Sequence, residues 1–190
     1  MNHEEATRRI LDAAEAEFYA RGIQAVGMAA IRQRSGVSLK RLYQCFPAKE
    51  DLVLAYLSRR DRRWLDSLAC HVTATATTSE EAVLAVFDWL HDWFTEDGFR
   101  GCAFINSFGE LGSTSPEIAE AGIRHKDRLR EYLRELVTRL GTTDADALTD
   151  QLFSLVEGAI VIAGMSGRQD IALSSRAAAA TLLDAHLPVR

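Results

Sequence analysis

Cysteines, uninterrupted apolar runs and catalytic signatures are all scarce in this chain, and each scarcity excludes something. Cys45, Cys70 and Cys102 are too few and too scattered for a disulfide framework or a zinc motif, which fits a reducing, cytoplasmic setting. No apolar run approaches the ~20 residues that a membrane span needs, so no membrane is expected among the partners. The N-terminal MNHEEATRRILDAAEAEF alternates charged and apolar residues and shows no signal-peptide core. No H-E-x-x-H spacing, nucleophile elbow or phosphate loop appears, so neither a cofactor nor an enzymatic role is expected. The one cluster suggesting metal or acid–base chemistry is Asp88, His91 and Asp92 on a single helical face. Such a cluster on an acidic helix is usually a solvated surface, and a metal-dependent enzyme is only a remote alternative.

What is present is ordinary globular material, unevenly charged. Hydrophobic residues make up 47% of the 190 residues and charged residues 26%, enough to bury a real core. The net charge of −5 hides an asymmetry. Residues 1–63 hold 12 Lys and Arg against 8 Asp and Glu, and residues 64–190 hold 10 against 19. A basic first third on an acidic remainder suggests that only the first part meets a polyanion.

The periodicity is helical almost throughout. Helices are expected near 4–20, 28–34, 38–44, 48–70, 79–95, 102–111, 116–140, 144–166 and 174–186, with no strand alternation of useful length. The fold class is therefore all-α, with about nine helices. Gly22 is free to take a left-handed cap after the first helix. Ser38 is a good N-cap for the third, and Pro47 suits the opening of the fourth.

The segment SGVSLKRLYQCFPAKEDL, residues 35–52, joins two short helices by a tight glycine-containing turn. That is the pattern of a helix-turn-helix whose second helix enters the DNA major groove. Ile31, Val37, Leu42 and Phe46 can face inward against Phe18 and Leu11 of the first helix. Leu39, Lys40, Arg41, Tyr43 and Gln44 then face outward, and with Ser38 and Lys49 they are the candidate DNA contacts. Lys and Arg suit phosphates or guanine edges, and Gln suits adenine. Lys49, in the first turn of the next helix, is expected to act as a phosphate clamp.

The whole N-terminal pattern resembles the TetR family of transcriptional regulators. The resemblance covers roughly residues 6–57 and rests on AA..EF...G in the first helix, the GVS turn, LY..F in the recognition helix and F-x-x-K-E-x-L at the start of the fourth. It implies a homodimer of two-domain all-α subunits, with an N-terminal DNA-binding domain (residues 1–47) and a C-terminal ligand-binding and dimerisation domain (residues 48–190), connected by helix 48–70. The partners implied are double-stranded DNA carrying an inverted repeat and a small-molecule effector. The sequence departs from the family pattern at Gly27, where a capping Ser or Thr is usual, and at Arg32, where a small Ala is usual. Lys40-Arg41 and Gln44-Cys45 also differ, so base specificity is not inherited.

In the C-terminal part, Trp89, Trp93, Phe104, Ile105 and Phe108 concentrate aromatic and apolar surface. Glu110, His125 and Glu157 are polar groups on or near apolar faces, and together these eight are the candidate pocket residues. The ordinary role of such a stripe is core packing, and the chamber reading rests mostly on the resemblance. Cys102, beside Arg100 at a predicted helix start, is a candidate electrophile or redox sensor, against the alternative of an inert buried thiol. The small residues Gly158, Ala159, Ala163, Gly164 and Ser166 suggest a close helix approach in a dimer bundle with the last helix. The reading that emerges is a ligand-released repressor, with a ligand-responsive activator as an alternative.

Overall fold

The computed structural model describes residues 2–186, and among them it contains nine α-helices and no strand. They are α1 (His3–Arg21), α2 (Met28–Ser35), α3 (Leu39–Cys45), α4 (Lys49–Thr75), α5 (Ser79–Thr95), α6 (Ala103–Leu111), α7 (Pro116–Thr138), α8 (Ala145–Ser166) and α9 (Ile171–His186). The helical expectation holds for every segment. The largest difference is in α4, which runs five residues past the expected end at 70 because Val72 is still buried and nothing in ACHVTAT breaks a helix.

By packing, the chain divides into two compact units. The first comprises the chain up to Arg62 together with Ala103–Ile123; the second comprises Arg63–Cys102 and the chain from Arg124 onward. The boundary expected at residue 47 follows the roles that the resemblance implies. Packing divides the chain differently, because α6 and the opening turns of α7 join the first unit, and α4 and α7 each contribute to both.

In the first unit, α1 starts on Asn2, whose side chain accepts the Glu5 amide at 2.8 Å, and buries Ala6, Ile10, Ala13, Ala14 and Phe18. Ile10, fully buried, takes the inward place expected of Leu11, which is only half-buried. Gly22 ends α1 at φ 86° and ψ 152°, an extended positive-φ conformation rather than the left-handed cap expected. Only glycine enters that region without strain. Phe18 meets Tyr56 of α4 edge-on, with centroids 5.8 Å apart. On its polar side Arg59 reaches Asp12 at 2.8 Å and Glu15 at 2.7 Å, and Arg60 lies over the Tyr19 ring at 4.3 Å.

In the second unit, α9 packs against both α5 and α8. A capping box at Thr78 and Glu81 opens α5. By length and composition α8 would suffice to cross a membrane, but one side is core, with Leu148, Leu152, Val156, Ala159, Ile160 and Ala163 buried. Gly101 and Gly164 approach so closely that a Cβ on Gly164 would stand 3.1 Å from the Gly101 Cα. That small residue therefore serves packing within the unit. The outward face of α8 is instead Gly158, Val161, Ile162 and Met165, and Met165 is 85% exposed.

Candidate nucleic-acid interface

The interface is built on α3, whose seven residues gain little from their own helix propensity. Its stability comes from a cap at one end and a packed face beneath. The Ser38 hydroxyl accepts the Arg41 amide at 3.2 Å. Leu42 is fully buried, and Ile31, Val37 and Phe46 are buried as well. Each such side chain contributes about 1.5–3 kcal/mol by leaving water. The preceding turn rests on Gly36 in the left-handed conformation, φ 69° and ψ 15°, which closes α2.

The opposite face of α3 is open. Lys40 and Gln44 are exposed, Leu39 is 53% exposed and Tyr43 46%, while Arg41 is half-buried with its Nη1 3.4 Å from the Gln44 Oε1. Two large apolar or aromatic side chains are thus held in water beside a lysine and an amide, on a helix whose fold does not need them there. Five of the expected contact residues are brought onto one short helix, and Ser38 acts as its cap. At Gly27 no side chain caps α2, as its lack of a hydroxyl implies, and Arg32 points into solvent.

Lys49 opens α4 as expected and also makes a contact within its own unit. Its ammonium donates to the Ile23 carbonyl at 2.5 Å and lies 6.0 Å from the Phe18 ring centroid. Burial pushes the ammonium below the ordinary lysine range, against the opposing charge of Glu110. The backbone conformation of residues 22–24, which delivers Ile23 to the lysine, was not legible from local sequence. The first α4 turn is instead held by Asp51, which accepts the Ala48 amide at 2.9 Å.

Glu110 differs from its expectation as a pocket group. Its carboxylate accepts the Ile23 amide at 3.1 Å and the Gln24 amide at 2.7 Å, while the Gln24 side chain donates to the Glu110 carbonyl. It fixes the turn between α1 and α2. Phe104 is buried on the same helix, whereas Ile105 and Phe108 are exposed. These four α6 residues belong to the first unit; Trp89, Trp93, His125 and Glu157 belong to the second.

There the aromatics form core. Trp64 packs edge-on against Trp89 at 4.8 Å, Trp93 at 5.6 Å and the buried His125 at 5.3 Å, and Phe99 closes on Trp93 at 5.0 Å. Trp64, on α4, was missed by sequence reasoning because it stands alone among Arg and Asp. Glu157 forms an ion pair with Lys126 at 2.7 Å, and the Lys126 ammonium is also 3.5 Å from the buried Cys102 sulfur. Lys126 is a cation that reaches this thiol, a neighbour 24 residues away along the chain. Asp88 pairs with Arg176 at 2.8 Å, and among the described residues no group of three or more His, Cys, Asp or Glu is arranged to hold a metal.

The family model of the bacterial regulatory proteins, tetR family, matches residues 10–56, which span α1 to the first turns of α4. A curated relative, the HTH-type transcriptional activator FasR of Mycolicibacterium smegmatis, is 36% identical over 124 residues. The match covers 61% of this chain and spans about half, 51%, of that relative's length. Among solved structures, a TetR-family transcriptional regulator from Streptomyces coelicolor is 28% identical with a TM-score of 0.88, covering 97% of each chain. A TetR-type transcriptional regulator from Streptomyces avermitilis is 27% identical with a TM-score of 0.81, covering 95% of this chain and 97% of that one.

Proposed function

From the premise that this chain belongs to the TetR family of bacterial regulatory proteins, we propose that it is a cytoplasmic repressor that binds an inverted-repeat operator as a homodimer and is released by a small molecule. One observation carries the DNA-reading part: the open face of α3, where Leu39, Lys40, Tyr43 and Gln44 stand exposed over a fully buried Leu42. Lys40 and Arg41 supply charge for phosphates or guanine edges, Gln44 an amide pair for adenine, and Tyr43 a hydroxyl for the backbone. Two such helices reading a palindrome require a dimer, and the exposed apolar face of α8 with Leu173 of α9 supports one.

The effector acts only through its different affinities for the DNA-competent and DNA-incompetent states. A difference of ~1.4 kcal/mol changes operator affinity about tenfold, so a few such units make a switch. Selection of bound duplexes from a random library by the purified protein tests the reading. Recovery of an inverted repeat is the expected result, and no enrichment at low salt as well as high refutes it. A promoter fusion carrying the recovered repeat separates repressor from activator, the role named for the mycobacterial relative.

A second reading is favoured by one contact, the Lys126 ammonium 3.5 Å from the Cys102 sulfur. A cation at that distance favours thiolate, the reactive form. Cys102 would then sense electrophiles or oxidants, and Cys102→Ser should abolish release of DNA by such reagents. A normal response in that variant removes the reading.

A further inference from the structure

The first unit contains a cavity of about 270 Å³ that neither the reading face nor the aromatic core uses. Its apolar wall is aliphatic, made by Ile23, Val53, Leu111 and Ile118, with Val53 and Ile118 almost wholly buried. Its polar wall carries one cation and one carboxylate, Lys49 and Glu50, consecutive at the start of α4. Lys49 commits one N–H to the Ile23 carbonyl, and Glu50 accepts the Ser115 hydroxyl on one carboxylate oxygen. Two ammonium protons and the second carboxylate oxygen are left for a guest. The neighbouring Glu110 carboxylate is occupied by the Ile23 and Gln24 amides.

The charges select the guest. A monoanion would meet Lys49 but be repelled by Glu50, and a monocation would meet the reverse. Either would satisfy one of the two charges and face the other without a partner, and the half-buried Lys49 is the one that gains most from a counter-charge. A net-neutral molecule with both charges satisfies the pair, and the aliphatic wall calls for a compact apolar body. The cavity lies just below the ~300–1,000 Å³ of drug-sized sites, which suits a compact guest smaller than a drug-sized ligand. We propose that this cavity binds a small aliphatic zwitterion, an apolar α-amino acid being the simplest member, with its carboxylate on Lys49 and its ammonium on Glu50.

The site's consequence for DNA, though not its binding, rests on the regulatory reading above. The cavity lies among three ties: Lys49 to Ile23, Glu50 to Ser115, and Glu110 to Ile23 and Gln24. The tied turn leads directly into α2. A guest that shares Lys49 and Glu50 alters the first two ties, and by linkage guest and operator change each other's affinity by the same factor.

The test is titration calorimetry of the full chain with L-leucine, 4-methylpentanoate, which lacks the ammonium, and 3-methylbutylamine, which lacks the carboxylate. The expected result is one saturable leucine site per chain, with both singly charged analogues at least tenfold weaker. Glu50→Gln should invert the order, so that 4-methylpentanoate binds at least as tightly as leucine. Thr114→Trp, at an exposed position lining the cavity, should abolish binding. Absence of saturable leucine binding at millimolar concentration overturns the proposal. So does equal binding of leucine and 4-methylpentanoate to the unaltered protein, a comparison that depends on no variant. Operator selection without leucine is a separate measurement, so its failure would sink the regulatory reading and leave the calorimetry standing.

Discussion

Replacing Glu110 by Ala would remove the acceptor of two backbone amides at once, and the structure sets the size of the effect. The Ile23 amide belongs to a residue only 2% exposed, so without the carboxylate it has no ready replacement from water. A buried donor left unsatisfied costs about 1–3 kcal/mol. The Gln24 amide is exposed and regains water, so its loss adds about 1 kcal/mol, part of the charge-assisted bond. The sum is about 2–4 kcal/mol for Glu110→Ala. Glu110→Gln keeps a neutral acceptor for one amide and should cost about half. Treated as one transition, a chain of this length shifts by ~2–4 °C per kcal/mol, so Glu110→Ala should melt about 4–16 °C lower. Calorimetry measures the shift, and amide exchange locates it, because protection should fall at residues 23 and 24 before any change in α8. A Glu110→Ala protein within ~0.5 kcal/mol of the unaltered one, with unchanged exchange at both amides, would refute the role assigned to this carboxylate.

Lys40→Ala should weaken binding to all DNA sequences alike and reduce the salt slope by ~1, measured by titrations across ionic strength. Gln44→Ala should instead relax preference at particular base pairs by ~1–3 kcal/mol, and a Lys40 variant that changes preference at constant slope would reverse these roles. Met165→Asp should leave the subunit folded, since the side chain is 85% exposed, yet sediment as a monomer with weakened operator binding. A dimer that survives it places the interface elsewhere. Hydrogen bonds from Arg21 and Arg34 hold the Glu17 carboxyl below its usual range of about 4.5, and those from Thr77 do the same for Glu81. Depressed carboxylate values give stability that is complete above the unfolded value and lost as pH falls through the folded one. Thermal melts should therefore hold steady near neutrality and decline below about pH 4.5, with a smaller decline in Glu17→Gln; stability that rises on acidification contradicts the assignment.

The sequence by itself determined whatever depends on near neighbours along the chain. Helical period, Ser38 as a cap, Gly36 as a turn and the inward set Ile31, Val37, Leu42 and Phe46 are all decided within one or two helical turns. The exposed face of α3 is therefore legible from residues 38–44 alone, as are the bounds of α5. Tertiary structure decided whatever depends on groups far apart in sequence. Glu110 looked like a polar group awaiting a ligand until the turn 86 and 87 residues away presented two amides to it. Lys49 was legible as a cation at the start of α4, but that its ammonium also holds the Ile23 carbonyl was decided only by the fold. Trp89 and Trp93 were legible as an aromatic stripe, but the fold alone set Trp64 edge-on against both of them with His125 at its other side. In each case residue type and spacing fix what a side chain can bond, but burial and the nearest complementary group fix what it does bond, and those exist only once distant segments have packed.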